Sequence, residues 1–226
     1  MLAFKNIKMR NSLFFFLSIS LFLTFGSCIK HEVIPAPTST VDLNCNFVGY
    51  VNGTQTELTQ NVLGYNAFPG KDKYIYAAPI QSRMIYTSAI KSTYQSQAFK
   101  ISLGSHLWDA TVATEPTLTM FNDYHSTYSG VSVPFKDYAT LVNANPAVVG
   151  IQVEYTDNNG VVWKSKETDP GQLSTFTIIN QGSDNTGDYS IFECSFSCLV
   201  WTYDVQLGTD ISIPIANAKF KGWFRR

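Results

Sequence analysis

The sequence predicts an all-β protein, an antiparallel β-sandwich of jelly-roll or immunoglobulin-like type with about ten strands; a β-barrel is the alternative. Three observations predict this class. Runs of alternating apolar and polar residues recur along the chain, and turn signals such as Asn-Gly separate them. Charged residues make up 15% of the chain, while Tyr, Thr, Ser, Asn, Val and Ile are common.

The strands are predicted from period-two alternation. The first covers 41–51, where Val41, Cys45 and Phe47 share one face, and Asn52-Gly53 then indicates a hairpin. The longest alternating run, followed by a turn at Gly208, predicts a final antiparallel hairpin. All predicted strands after the first lie at 54–58, 74–78, 83–92, 98–103, 117–121, 148–155, 161–165, 174–179, 189–205 and 211–224.

The remaining segments are predicted as one helix and several connections. Phe135, Tyr138 and Leu141 fall at helical spacing, and Pro146 prevents continuation, so a short helix is expected over 134–142. Irregular segments are predicted at 59–73, 104–109 and 122–128. Pro214 predicts that the last strand lies at an edge or is bulged there.

Residues 1–27 have the three parts of a secretory signal. Basic residues precede an apolar run over 13–25, and small residues follow at Gly26 and Ser27. A transmembrane helix needs about 20 apolar residues, and this run is shorter. A cleaved signal peptide is therefore predicted, with a retained membrane anchor as the alternative.

The ending Gly26-Ser27-Cys28 resembles the lipobox of bacterial lipoproteins, with Phe25 where that motif usually has Leu. The resemblance implies cleavage before Cys28 and acylation of this cysteine, for example by palmitate. Each buried CH₂ contributes about 0.8 kcal/mol, so two or more chains give stable anchoring. It therefore implies a protein attached to the bacterial cell envelope by its N-terminal lipid, with the outer membrane as the expected location.

The mature chain is predicted to be a short tether and one domain. Residues 28–40 contain Pro35 and Pro37 and read as a flexible tether, and 41–226 form a single β domain. Cleavage removes three of the 16 Lys and Arg residues and none of the 17 Asp and Glu residues. The net charge of the mature chain is therefore 13 − 17 = −4. This acidic balance excludes the basic surface that nucleic-acid binding requires.

Two segments of the domain resemble uncharacterised lipoproteins from Bacteroidota. One is 151–160, with Tyr155-x-Asp157-x-x-Gly160, and the other is 215–224, with Ala-x-Phe-x-Gly-x-Phe. The resemblance implies an all-β envelope lipoprotein. Because that family has no agreed activity, it transfers no functional residues to this chain.

Three cysteines remain after Cys28, and export permits a disulfide. Cys194 and Cys198 are four residues apart in one predicted strand, so their Cα atoms are about 13 Å apart, whereas a disulfide needs less than about 7 Å. Cys45 lies on the core face of the first strand. Two outcomes stay open, a bridge from Cys45 to Cys194 or Cys198, and three buried thiols.

Two histidine-bearing segments are the candidate metal site. His106 lies near Asp109 and His125 lies near Asp123, so two His and two Asp could bind a metal if the loops meet. Neither segment has a second histidine at ligand spacing. Both are therefore predicted as surface-loop histidines, and no metal or cofactor is expected.

Two acidic motifs have structural interpretations. The run 157–160 resembles part of a calcium loop, but its glycine stands at position 4 and the twelfth residue is Thr168. A hairpin turn is predicted instead. Asp184, Asn185 and Asp188 could bind a cation, although a solvated loop is preferred.

No catalytic set is predicted. The chain lacks a Gly-x-Ser-x-Gly elbow. Ser105 is adjacent to His106, an arrangement that rarely gives the hydrogen bond of a nucleophile to its base. Glu154 and Glu193 are assigned to the solvated faces of their strands.

Aromatic residues near the C-terminus are the candidate binding surface. In the long strand, one face is predicted to form the core and the other to point outward. The core face carries Phe192, Cys194, Phe196, Cys198 and Val200, and the outer face carries Trp201 and Tyr203. Trp223 alternates with Phe220, Gly222 and Phe224 in the last strand. An outer face bearing Trp201, Tyr203 and Trp223 could stack on sugar rings or anchor a protein.

The sequence thus predicts a lipid-anchored envelope protein that is a non-catalytic binding module for a glycan or an envelope protein. The alternative is a periplasmic or surface hydrolase whose acid–base groups come from loops. Convergence of two carboxylates, or of His106 and His125, in a concave pocket would favour the enzyme. A shallow aromatic face would favour the binder.

Overall fold

The structure is a computed structural model that describes residues 43–226. The signal peptide, Cys28 and the tether over 29–40 lie outside the described residues and remain predictions. Within 43–226, neither helix has the length and apolar character needed to cross a bilayer.

The described chain forms ten strands and two short helices, so the predicted all-β class is confirmed. The strands are β1 (Asn46–Val51), β2 (Thr54–Thr59), β3 (Tyr65–Tyr74), β4 (Ser82–Ser92), β5 (Ala98–Trp108), β6 (Gly150–Thr156), β7 (Val162–Ser165), β8 (Leu173–Asp184), β9 (Gly187–Asp204) and β10 (Thr209–Arg225). The helices are α1 (Leu118–Thr127) and α2 (Tyr138–Asn143).

All ten strands belong to one antiparallel sheet. Its order is β2-β1-β10-β9-β7-β6-β5-β4-β3, and these nine strands form a curled half-barrel. Strand β9 is 18 residues long, and one of its edges pairs with β8 along its first part and with β7 near its end. The sheet therefore forks at β9, and its concave face encloses one core.

The curl brings the far strands back toward β10. Strand β10 contacts β3 and β4, and a Cβ on Gly222 would lie 2.5 Å from Ser88 Oγ, so only glycine fits this approach. The loop after β5 bridges the same gap. Glu115 forms an ion pair with Lys71 of β3 at 2.5 Å, and the Pro116 carbonyl accepts a hydrogen bond from Arg226.

The core is supplied largely by alternate residues of the last hairpin, as the sequence predicts. The hairpin β9–β10 pairs from Thr209↔Asp204 to Arg225↔Tyr189. Every predicted core residue of this hairpin is buried: Phe192, Cys194, Phe196, Cys198, Val200, Phe220 and Phe224. The predicted bulge follows Pro214, since the register shifts between Ile215 and Ala218.

The prediction of a strand over 117–121 and a loop over 122–128 is wrong, because this segment forms α1. Thr117 is the N-cap, and its hydroxyl accepts a hydrogen bond from the Met120 amide at 3.3 Å. Phe121 and His125, one helical turn apart, are the residues that α1 buries. The Thr-rich sequence resembles a strand locally, but this cap and this spacing favour the helix.

Other boundaries also differ from prediction. Strand β5 runs to Trp108, through most of the segment predicted as irregular at 104–109, and the strand predicted at 74–78 is wrong because β3 ends at Tyr74. Residues 59–73, predicted as irregular, include most of β3; it tolerates Pro69 because it is an edge strand that pairs with β4 alone. Helix α2 is shorter than the predicted 134–142. Its expected first turn is extended, because Pro134 and Lys136 form backbone hydrogen bonds with Ile151 of β6.

Candidate functional site

Trp201 and Tyr203 lie on the outer face of β9, as the sequence predicts. Val200, the residue before Trp201 in the strand, is fully buried in the core. The alternation of the strand therefore directs Trp201 and Tyr203 outward. Trp201 is half-buried, whereas Tyr203 is 60% exposed. The two aromatic rings therefore lie on one face, about 7 Å apart along the strand.

A groove of about 300 Å³ surrounds these two aromatic residues, and we call it the Trp201 groove. It crosses β6, β7, β9 and β10. Register explains its composition, since Lys164 of β7 lies opposite Trp201 and Asp210 of β10 lies opposite Tyr203. Its charged and amide side chains are Asp137, Gln152, Lys164, Lys166 and Asp210.

The indole of Trp201 is held in a fixed orientation. Its Nε1 donates a hydrogen bond to Asp169 Oδ2 at 2.7 Å. Lys166 Nζ lies 4.7 Å from the ring centroid and forms an ion pair with Asp210 Oδ2 at 2.5 Å. Two carboxylates and one lysine thus position the aromatic ring before any ligand arrives.

Asp137 reaches the groove from the start of α2. It occupies the N-cap position, and its Oδ1 accepts a hydrogen bond from the Glu167 amide at 3.3 Å. Lys136 Nζ lies 3.6 Å from Glu167 Oε2. These contacts tie the helix to the segment after β7, and they place a carboxylate on the side of the groove that β6 and β7 form.

Trp223 does not belong to this surface, and its predicted exposure is wrong. It is 6% exposed, and its indole nitrogen has no hydrogen-bond partner. Gly222, Trp223 and Phe224 are buried consecutively, which requires that both faces of the strand are covered here. Trp223 therefore belongs to the main core cluster, although its parity in β10 is opposite to that of Phe220 and Phe224.

Of the two outcomes left open for the cysteines, the structure shows three buried thiols and no Cys45 disulfide. Cys45, Cys194 and Cys198 are free and buried, and burial raises the pKa of Cys45 and Cys198 to about 12. Register gives the reason. Cys194 pairs with Phe220 of β10 and Phe220 pairs with Phe47 of β1, so β10 separates the thiols by two strand spacings, about 9–10 Å. A disulfide cannot span that distance.

His106 and His125 are buried, so their assignment to surface loops is wrong. His106 lies in β5 and His125 in α1, and the two segments do meet. His106 Nδ1 is 3.0 Å from Tyr86 Oη, and its ring stacks on Tyr124 with centroids 4.4 Å apart. The ring of His125 lies 4.9 Å from that of Tyr86.

This histidine–tyrosine cluster is uncharged. Burial lowers the pKa of His106 to about 4. Burial, and then the charge of His106, lower the pKa of His125 to about 3. The hydroxyl of Tyr124 and Nε2 of His125 have no hydrogen-bond partner. The cluster is packed inside the core and is not positioned to act on a substrate.

The aspartates expected beside the histidines are elsewhere. Asp109 is exposed, and its Oδ1 accepts hydrogen bonds from the amide and the hydroxyl of Thr111. Within residues 43–226, no group of three or more His, Cys, Asp or Glu is arranged to bind a metal.

The other acidic motifs have local roles. Asp157 Oδ1 accepts hydrogen bonds from the amides of Asn159 and Val161, which confirms the predicted hairpin turn. Asp184 forms an ion pair with Arg225 at 2.9 Å, and Asp188 pairs with Arg226 at 2.5 Å. Arginine side chains therefore pair with the carboxylate oxygens that would otherwise bind a cation.

The residues considered for catalysis are also in structural contacts. Glu154 lies 3.1 Å from Lys100, and Glu193 lies 3.5 Å from Lys219. Ser105 is buried and its hydroxyl donates to the Leu141 carbonyl, so it does not pair with His106 as a nucleophile.

Comparison of the chain with protein-family models, with curated proteins and with solved structures gave no match. The geometry of the Trp201 groove is therefore the basis on which a function can be proposed.

Proposed function

We propose that this protein is a lipid-anchored component of the bacterial cell envelope whose β domain binds a saccharide in the Trp201 groove, without catalysing a reaction. The observation that carries the proposal is the pair Trp201 and Tyr203 on one outer face, bordered by charged and amide side chains. Lipid attachment through Cys28 rests on the signal and the lipobox resemblance.

Aromatic rings supply the apolar part of saccharide recognition. The carbon-bound faces of a sugar ring pack on flat aromatic surfaces, and such surfaces are effective when their orientation is fixed beforehand. Asp169 and Lys166 fix Trp201, and Tyr203 presents a largely exposed ring beside it. A ligand that spans both rings would cover apolar area that now faces water.

The polar groups of the groove suit hydroxyl groups. Asp137 and Asp210 accept hydrogen bonds, Lys164 and Lys166 donate them, and Gln152 does both. Sugar hydroxyls are donors and acceptors at once, so they match this mixture. The two lysines and two aspartates of the lining balance, and Asp169 adds a carboxylate beside Trp201, so the groove has no positive excess and disfavours a polyanion.

The hydrolase alternative has weaker support. His106 and His125 are buried among aromatic rings, out of reach of a substrate. Asp137 and Asp210 are the carboxylates of the groove, but Asp210 is ion-paired with Lys166 and Asp137 caps the Glu167 amide. A glycosidase needs one carboxyl group free to transfer a proton.

The test is a glycan array probed with the full chain in detergent. We expect selective binding to one glycan class, and a loss of affinity of about tenfold or more in Trp201→Ala and in Tyr203→Ala. Tyr94→Ala, which removes an exposed tyrosine outside the groove, is the matched control and should bind normally.

Failure to bind any glycan would contradict the proposal, as would equal losses in Tyr94→Ala and Tyr203→Ala. Release of reducing sugar from a bound glycan, abolished by Asp210→Asn, would favour the hydrolase instead. Capture of an envelope protein through the same two aromatic residues would keep the site and change the ligand class.

A further inference from the structure

Two loops at one end of the sheet expose large apolar side chains. Loop 60–64 joins β2 to β3, and loop 93–97 joins β4 to β5. Val62 is 51% exposed, Leu63 is 68% exposed and Tyr94 is 82% exposed. We call these three residues the apolar tip.

The apolar tip has a defined conformation, because its two loops are hydrogen-bonded to each other. Ser92 Oγ donates to the Leu63 carbonyl at 2.7 Å and accepts from the Tyr94 amide at 3.0 Å. The Thr93 amide donates to the Gly64 carbonyl at 3.4 Å. These contacts hold Leu63 and Tyr94 side by side.

Leu63 is an unexpected residue at its position. Its φ is +49°, a left-handed conformation in which glycine and asparagine are the usual residues. A large apolar side chain there is strained and gains nothing from the core, because most of it faces solvent. The fold alone does not explain an apolar residue at this turn, whereas contact with an apolar phase would.

The two loops of the tip and their flanking strand residues contain no acidic residue. The sequence has no Asp or Glu over 59–71 or over 88–108, whereas the mature chain as a whole is predicted to be acidic. Lys91, Lys100 and Glu154 line a pocket beside loop 93–97, where Lys100 forms an ion pair with Glu154 at 3.1 Å. Apolar and tyrosine side chains with nearby lysines are typical of segments at a membrane interface.

The chain enters the domain next to the tip. The Cys45 amide donates to Gln60 Oε1 at 2.8 Å, and the Gln60 amide donates to the Cys45 carbonyl at 3.0 Å. Leu63 is three residues beyond Gln60 and thus at most about 11 Å further along the chain. The segment that leads from the predicted lipid site therefore joins the domain at this end.

We propose that the apolar tip inserts into the interface of the bilayer that holds the lipid of Cys28. This inference rests on the lipid anchoring proposed above and adds an orientation to it: the end with Leu63 and Tyr94 faces the membrane. Anchoring brings the tip to the bilayer surface at high effective concentration, so a small apolar contact is sufficient.

The experiment places a fluorescent label at the tip of the full lipidated chain. Leu63→Cys is labelled with a nitrobenzoxadiazole dye and reconstituted in phosphatidylethanolamine–phosphatidylglycerol vesicles that contain nitroxide-labelled lipid. The three native thiols of the domain are buried and should not react. Ile75→Cys is the matched control: it is 64% exposed, and it follows the opposite end of the ten-residue strand β3, about 30 Å away.

We expect blue-shifted emission and at least threefold stronger quenching by nitroxide lipid at position 63 than at position 75. Tyr94→Cys, labelled in the same way, should behave like Leu63→Cys. It replaces Leu63→Cys as the probe of the tip if that variant misfolds. Vesicle-bound protein with equal, weak quenching at 63, 94 and 75 would overturn the membrane-facing tip and leave the anchor intact. Protein that stays unbound to vesicles would overturn both the anchor and the tip.

Discussion

At the scale of single residues, the polar groups inside the core are the clearest departure from an ordinary β protein. His106 and His125 are buried against Tyr86 and Tyr124 and remain neutral. Their burial could not be predicted from sequence, because it depends on the rings of α1 meeting Tyr86 of β4, His106 of β5 and Phe224 of β10. The local sequence around each histidine is polar and indicates a surface loop.

Acid should therefore weaken the fold well above the pH at which carboxylates titrate. The pKa of each histidine falls from its ordinary 6.5, to about 4 for His106 and about 3 for His125. The unfolded chain then binds protons first, so this contribution to stability is complete only well above pH 6.5 and is lost as pH falls toward the folded-state pKa values. For the two histidines together, the free energy of unfolding should fall by about 3 kcal/mol between pH 6.5 and pH 5.

Urea unfolding at several pH values measures this loss. His125→Phe should retain about half of the pH dependence in that window, because His106 still titrates. A stability that is constant from pH 6.5 to 5 in the unmodified chain would contradict the buried, neutral state of the two histidines.

The cysteines give a second prediction at this scale. Thiol counting under denaturing, non-reducing conditions should find three free thiols in the mature domain, because Cys45 is two strand spacings from Cys194. A count of one would show a disulfide and contradict the strand order β1-β10-β9.

At the scale of elements, the last hairpin shows what sequence reasoning can and cannot provide. Parity in β9 correctly separates the core residues from Trp201 and Tyr203. The same reasoning gives Trp223 a parity opposite to that of the core residues of β10, which is correct. The exposure inferred from that parity is wrong, because Trp223 is buried. Its burial depends on elements packed over this end of β10, which alternation within the strand does not reveal.

Alanine substitutions should separate the two tryptophans. Trp223→Ala removes a buried ring and should cost about 3–5 kcal/mol, similar to Phe196→Ala. Trp201→Ala should cost clearly less, about 1 kcal/mol, because the ring is half-buried and its main loss is the hydrogen bond to Asp169. Thermal melting of the three variants decides, and equal shifts for Trp201→Ala and Phe196→Ala would contradict the outer-face assignment.

At the scale of the whole molecule, the sequence predicted the all-β class and the closing hairpin but not the curl. The fork at β9, the approach of β3 to β10 and the helix α1 all come from pairings distant in sequence. The aromatic residues of the Trp201 groove could be predicted from alternation. Its polar residues could not, because they come from α2, β6, β7 and β10, and only the register brings them together.

Attachment to the membrane is predicted at this scale too. Cys28→Ala should release the protein from the membrane fraction, because neither described helix can span a bilayer and the acyl chains would be missing. Mass spectrometry of the mature N-terminus provides the check. An unmodified first residue other than Cys28 would contradict lipid anchoring.

The measurement that tests saccharide binding most directly is an NMR titration of the four tryptophan indole N–H signals with the glycan selected on the array. Trp108, Trp163, Trp201 and Trp223 each contribute one signal. We expect a saturable shift of the Trp201 signal, whose N–H donates to Asp169 at the edge of the groove, while the signals of the buried Trp108 and Trp223 stay in place. Binding that leaves Trp201 unshifted, or that shifts Trp223 instead, would contradict the Trp201 groove as the binding site.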